Sequence, residues 1–108
     1  MALTLTVCGC TGSYPGPDAA CSGYLISSGD THVLLDVGPG VLAAMQNHIT
    51  IAELSAVVLT HAHTDHWTDL CGLNTALTYF VRREGFPVFG TSETRELASM
   101  LLGNLEPA

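Results

Sequence analysis

Apolar and polar positions alternate at the start of the chain and take a helical spacing later. Leu3, Leu5 and Val7 are separated by Thr4 and Thr6, the period-two pattern of a half-buried strand. Gly9 to Pro17 reads as a loop, punctuated by Gly-Ser and Pro-Gly-Pro. Gly23 to Ser27 and His32 to Val37 form two further strands around Ser28-Gly29-Asp30, which predicts a hairpin. Gly38-Pro39-Gly40 breaks the second of them, and Val41 to His48 suits a short helix with Pro39 near its first turn. Ala56 to Thr60 is continuously apolar up to its last residue, the pattern of a strand buried on both faces. From about His66 to Glu84 the positions Leu70, Leu73, Leu77 and Phe80 or Val81 recur at helical spacing, and Gly85 ends that helix. Pro87 to Phe89 is a short strand, and Ser92 caps a last helix that runs to Leu102. Strands that come first and then alternate with helices predict an α/β fold.

Composition changes that picture in one respect. With 108 residues, 47% hydrophobic and 12% charged, the chain has ample material for one small core. Yet it stops at Leu105-Glu106-Pro107-Ala108, directly after a helical pattern, with neither a polar tail nor a closing strand. Residues 1–108 are therefore read as a single incomplete domain. The net charge is −7, and the three Arg (Arg82, Arg83, Arg95) all lie late, with no Lys. Neutralising nucleic-acid phosphates takes clustered Lys and Arg, so nucleic acid is a poor partner for this half. No apolar run approaches the length of a membrane span, and the N-terminus lacks a basic leader, so a cytoplasmic protein is expected. Cys8, Cys10, Cys21 and Cys71 are expected to be buried free thiols, the alternative being recruitment of one into a metal site.

The chemistry concentrates in His61-Ala62-His63-Thr64-Asp65-His66. If the backbone is still extended after the apolar strand, His61 and His63 point to the same side and make a natural pair for a first Zn²⁺ or similar ion. Asp65 and His66 follow where the chain turns toward a helix, so they face another direction and suit a second ion. Asp65 also sits near a helix N-terminus, which favours a carboxylate. Packed together without metal, three His and an Asp would gain little and repel once protonated. His32 and His48 stand alone and are expected to be structural.

The same residues resemble a known family. His61-x-His63-x-Asp65-His66 after an apolar strand is similar to the signature of metallo-β-lactamase-fold metallo-hydrolases. Leu34-Leu35-Asp36-Val37-Gly38 is similar to that superfamily's upstream element, a strand ending in Asp and then Gly. Gly9-Cys10-Thr11-Gly12-Ser13 and Ser22-Gly23-Tyr24-Leu25-Ile26 resemble the opening loop and second strand of its ribonuclease Z and phosphodiesterase branch. Gly38-Pro39-Gly40-Val41-Leu42 and Asp65-His66-Trp67-Thr68-Asp69-Leu70 look most like cyclic-nucleotide phosphodiesterase-like members.

The resemblance implies the N-terminal half of an αββα four-layer sandwich, in which two sheets pack between helices. It implies two Zn²⁺ per complete site, with Mn²⁺ or Fe²⁺ as other candidates. His61 and His63 would bind the first ion and Asp65 and His66 the second. Asp36 would accept a hydrogen bond and hold the histidine loop, or else be an ordinary turn residue. Trp67 and Cys71 are assigned to packing beside the site. Complete members supply a third His, a bridging Asp and a last His from the C-terminal half, whereas no His follows His66 here and no Asp follows Asp69. The implied activity is hydrolysis of a small phosphodiester such as a cyclic nucleotide by a zinc-activated hydroxide, with Asp65 orienting it. Two alternatives are a different hydrolase of the same fold (ribonuclease Z-like, or acting on an ester, thioester or lactam) and an inactive half-domain. The isolated chain is expected to be inactive and to pair with its C-terminal half or a second copy of itself.

Overall fold

In the computed structural model, which describes residues 2–103, the strand-like segments assemble into one five-stranded mixed sheet. β1 (Thr4–Gly9), β2 (Gly23–Ser28) and β3 (Thr31–Leu35) form an antiparallel meander. Gly29 takes φ 58° in the two-residue turn between β2 and β3, a backbone state open to glycine and costly to most other residues. β4 (Ala56–Val58) and β5 (Val88–Phe89) then add in parallel, so the sheet order follows the chain order.

Parallel neighbours require crossovers, and here these carry the helices. α1 (Val41–Met45) and a 3-10 turn at Ile51–Glu53 link β3 to β4. α2 (Leu70–Thr75) and a π-helical turn at Ala76–Phe80 link β4 to β5, and α3 (Ser92–Leu102) follows. Pairing puts Thr6, Leu25, Leu34, Val57 and Val88 in one row across the sheet. Leu25, Leu34 and Val57 from that row are buried in one cluster with Val41, Met45, Leu73, Leu77 and Ala98. The core thus lies between one sheet face and the helices.

The other face is also apolar and is open. Its rows are Leu5, Ile26, Val33 and Ala56, then Val7, Tyr24, Leu35, Val58 and Phe89. Leu5 is 63% exposed, Val7 54% and Phe89 59%. The alternation of β1 is therefore correctly placed as a strand, but its apolar side faces outward. β4 is buried on one face only, for the same reason.

Several boundaries differ from the sequence expectation. β3 ends at Leu35, not Val37, because Asp36 adopts φ 62° and turns the chain out of the sheet. α1 ends at Met45, and tighter turns over residues 46–48 return Ile49 to the core. The long helix expected from His66 to Glu84 is broken into a 3-10 turn at Thr64–His66, α2 and the π turn. Within the π turn Leu77 is buried, whereas Tyr79 and Phe80 are exposed. Of the four free thiols only Cys21 is buried, while Cys8 and Cys71 are half-buried and Cys10 is exposed. Leu105 to Ala108, on which the reading of an incomplete end rested, lie outside the described residues.

Leu34 is fully buried in the central strand. Leu34→Ala is expected to lower the free energy of unfolding by about 2–5 kcal/mol, through lost transfer energy and a residual cavity. Urea unfolding followed by circular dichroism measures it.

Candidate metal centre

β3 and β4 are parallel with Leu35 opposite Val58, so the residues that follow each strand emerge side by side. The Asp36 N–H donates to the Val58 carbonyl at 2.8 Å, and the left-handed backbone at Asp36 aims its side chain across the end of β4. That carboxylate is 3% exposed and accepts from three groups. The Thr60 N–H reaches Oδ1 at 2.8 Å, the Thr60 hydroxyl lies 2.8 Å from Oδ2, and His66 Nδ1 lies 2.8 Å from Oδ2. An ionised carboxylate only accepts, so Nδ1 of His66 carries a proton, and in the neutral ring Nε2 presents a lone pair.

The loop carrying the cluster is fixed from several sides. The His66 N–H closes the 3-10 turn on the His63 carbonyl at 3.0 Å. Trp67, buried in the core, donates its indole N–H to the Ala62 carbonyl at 2.8 Å, so it packs and also staples the histidine segment. The Val37 N–H donates to the His66 carbonyl at 2.8 Å, and the Asp69 N–H to the Val37 carbonyl at 3.0 Å. The Asp69 carboxylate accepts the Leu42 N–H in the first turn of α1 at 3.0 Å. Gly38 makes this approach possible: a Cβ there would collide with the Asp65 carbonyl oxygen.

Three imidazoles and one carboxylate meet as a result. The ring centroids of His61 and His63 are 4.7 Å apart, and those of His61 and His66 4.0 Å. Asp65 Oδ2 lies 3.4 Å from His66 Nε2. That separation is long for a hydrogen bond. It suits two donors on one tetrahedral ion, which at zinc–ligand distances of about 2.0–2.1 Å stand about 3.4 Å apart. Asp65 and His66 thus present a carboxylate oxygen and an imidazole nitrogen, both donors that a divalent metal takes, at a ligand spacing. Among the described residues no group of three or more His, Cys, Asp or Glu is arranged to hold one ion.

Asp65 has a further partner from the opening loop. The Ser13 N–H donates to its Oδ2 at 3.1 Å. This bond above all holds the Asp65 carboxyl below its ordinary range, against the cost of partial desolvation. All five residues singled out from the sequence (Asp36, His61, His63, Asp65 and His66) thus share one locality. Cys71 and the lone histidines do not join it: His32 bonds the Ser27 hydroxyl through Nδ1 at 2.7 Å, and His48 is exposed. Sequence reasoning missed Thr60 and Ser13. Thr60 carried a signal, a hydroxyl interrupting an apolar strand just before the first His, whereas nothing in the sequence pairs Ser13 with a residue 52 positions on.

The family profile described as the Metallo-beta-lactamase superfamily matches residues 16–100. The probable metallo-hydrolase YhfI of Bacillus subtilis is 43% identical over 68 residues, covering 63% of this chain and 28% of YhfI. Ribonuclease Z of Methanopyrus kandleri is 33% identical over 97 residues, covering 89% of this chain and 34% of that protein. The crystal structure of YhfI, a metallo-beta-lactamase fold protein, superposes with a TM-score of 0.83 at 35% identity over 92% of this chain and 40% of YhfI. The short form of human tRNase Z superposes with a TM-score of 0.75 over 93% of this chain and 40% of that one, at 23% identity, a likeness of fold alone. The chain thus spans between about a quarter and two fifths of the length of these relatives.

Gly38→Ala tests the contact that seats the loop. Because the added methyl meets backbone and not a flexible side-chain end, the variant is expected to be about 1–3 kcal/mol less stable to urea. Its largest amide chemical-shift changes are expected at Asp65 and His66.

Proposed function

The chain belongs to the metallo-beta-lactamase superfamily, and from that premise we propose that it forms the N-terminal half of a two-metal hydrolase acting on a small phosphodiester, such as a cyclic nucleotide. The reading is carried by one observation: Asp65 Oδ2 and the free lone pair of His66 Nε2 stand 3.4 Å apart, a ligand spacing held from behind by Asp36. His61 and His63 would hold the first ion and Asp65 and His66 the second, with Zn²⁺ favoured and Mn²⁺ or Fe²⁺ compatible. Such ions supply Lewis acidity toward phosphoryl oxygens and lower the pKa of water at the site. Asp65, acceptor-only when ionised, is suited to orient the attacking water. Asp36 fixes His66, and the Ser13 N–H favours the anionic form of Asp65.

A small substrate is favoured by charge. A net −7 with three Arg and no Lys gives long polyanions little to bind on this half. The likeness to ribonuclease Z favours a second reading, in which RNA is the substrate and basic residues elsewhere in the full-length protein bind it. Other esters, thioesters and lactams remain for a substrate panel to separate. The free thiols accord with a reducing, cytoplasmic setting. Among the described residues no helix is long and apolar enough to cross a membrane.

Because the chain supplies only part of the ligand set that complete members carry, the chain alone is expected to retain zinc weakly and substoichiometrically after dialysis, and to hydrolyse bis(p-nitrophenyl) phosphate barely above buffer. Elemental analysis and absorbance of released nitrophenolate check both. A longer chain carrying the remaining part of the fold is expected to turn this substrate over readily. In that longer chain, His63→Ala and Asp65→Ala should each remove most activity with the circular dichroism spectrum unchanged. Full activity of His63→Ala, or two tightly held ions in the short chain alone, overturns the assignment.

The open sheet face supports the partner reading. Large contiguous apolar patches are rare on soluble monomers, and burying such a face returns about 25 cal/mol per Å². We assign it to the complementary half of the four-layer sandwich, a second copy of the chain being the other occupant. Purified chain is expected to bind a hydrophobic dye and to scatter light as more than a monomer. A monodisperse monomer that binds no dye overturns this reading.

A further inference from the structure

Thr60 makes two contacts whose chemistry is more restrictive than their lengths. Its Oγ1 lies 2.8 Å from Asp36 Oδ2 and 3.1 Å from Oδ1, and 2.9 Å from Nδ1 of His61. A hydroxyl has one hydrogen and two lone pairs. The Asp36 carboxylate can only accept, so the hydroxyl hydrogen is committed to it. Toward His61 the oxygen then has only a lone pair to offer, and Nδ1 must bring the proton. We propose that Thr60 is a positioning residue of this centre: its hydroxyl fixes His61 as the Nδ1-protonated tautomer and leaves Nε2 as the atom the ring presents.

The rest of the geometry supports that role. The Thr60 N–H is bonded to Asp36 Oδ1 at 2.8 Å, so the backbone beneath the hydroxyl is anchored to the same buried group. Threonine is β-branched and stiff at χ1, which keeps Oγ1 on its line between the two partners. Asp36 also fixes His66 directly through Nδ1. One carboxylate therefore sets the tautomers of two imidazoles, one by contact and one through a relay. Which ring nitrogen can serve as a ligand is decided by the bond that the other nitrogen makes. The inference rests on the metal reading above only for the use to which the lone pair is put. The tautomer stands on the hydrogen bonds alone.

The test is long-range ¹H–¹⁵N correlation spectroscopy of the histidine rings in metal-free protein, followed by zinc titration. In the unaltered chain His61 and His66 are both expected to carry their proton on Nδ1. Thr60→Val keeps the shape and removes the hydroxyl, and Thr60→Ser restores it. Thr60→Val is expected to shift His61 toward the Nε2-protonated form with His66 unchanged, and to weaken zinc binding roughly 10–100-fold. Thr60→Ser is expected to recover the His61 signature and most of the affinity. An Nε2-protonated His61 in the unaltered chain overturns the inference, and that measurement needs no variant, so it holds even if Thr60→Val does not fold. A His61 signature or a zinc affinity that Thr60→Val leaves untouched overturns it as well. If the unaltered chain takes no zinc yet shows His61 protonated at Nδ1, the metal reading fails and the tautomer assignment survives.

Discussion

A carboxylate taken out of water must be met by donors, and the arrangement around Asp36 follows from that demand. An ion left unpaired in a low-dielectric setting costs several kcal/mol. Asp36 avoids the cost by collecting the end of β4 through Thr60 and the histidine loop through His66. To reach them it adopts a left-handed backbone that few residues other than glycine, Asn and Asp tolerate. The same bend that ends β3 thus aims the side chain. Gly38, two residues on, is the complement of this device, because only a residue without Cβ lets the turned chain lie against the Asp65 carbonyl.

The parts of this structure governed by short-range patterns were legible in the sequence. Alternation located β1, the Gly29 turn located the hairpin, and the apolar run located β4. The spacing of His61, His63, Asp65 and His66 was enough to predict a common locality, because four residues within six positions have few ways to disperse. What pattern could not supply was set by tertiary contact. The π turn at Ala76–Phe80 leaves no mark in a helical repeat that continues through it. The outward face of β1 reads the same as an inward one, since periodicity gives the alternation and not which side is covered. Thr60 looked like the last residue of a strand, and its role depends on a carboxylate 24 positions earlier. Asp36 was weighed as turn residue or anchor, and its geometry makes it both.

The sheet is apolar on two faces but covered on one, and the histidine loop sits where those faces meet. Leu35 and Val58 belong to the open face, and Asp36 and Leu59-Thr60 follow them directly in the chain. Whatever lies on that face therefore ends at the rim of the histidine cluster. Two binding equilibria that share a boundary in this way are coupled wherever one ordered segment serves both. If a covering surface steadies Thr60 and the loop, it raises affinity for an ion there. Thermodynamic reciprocity then requires the ion to raise affinity for the covering surface by the same factor. In that case a chelator that removed the ion would also loosen the covering surface, and the concentration of the covering partner would set the apparent metal affinity.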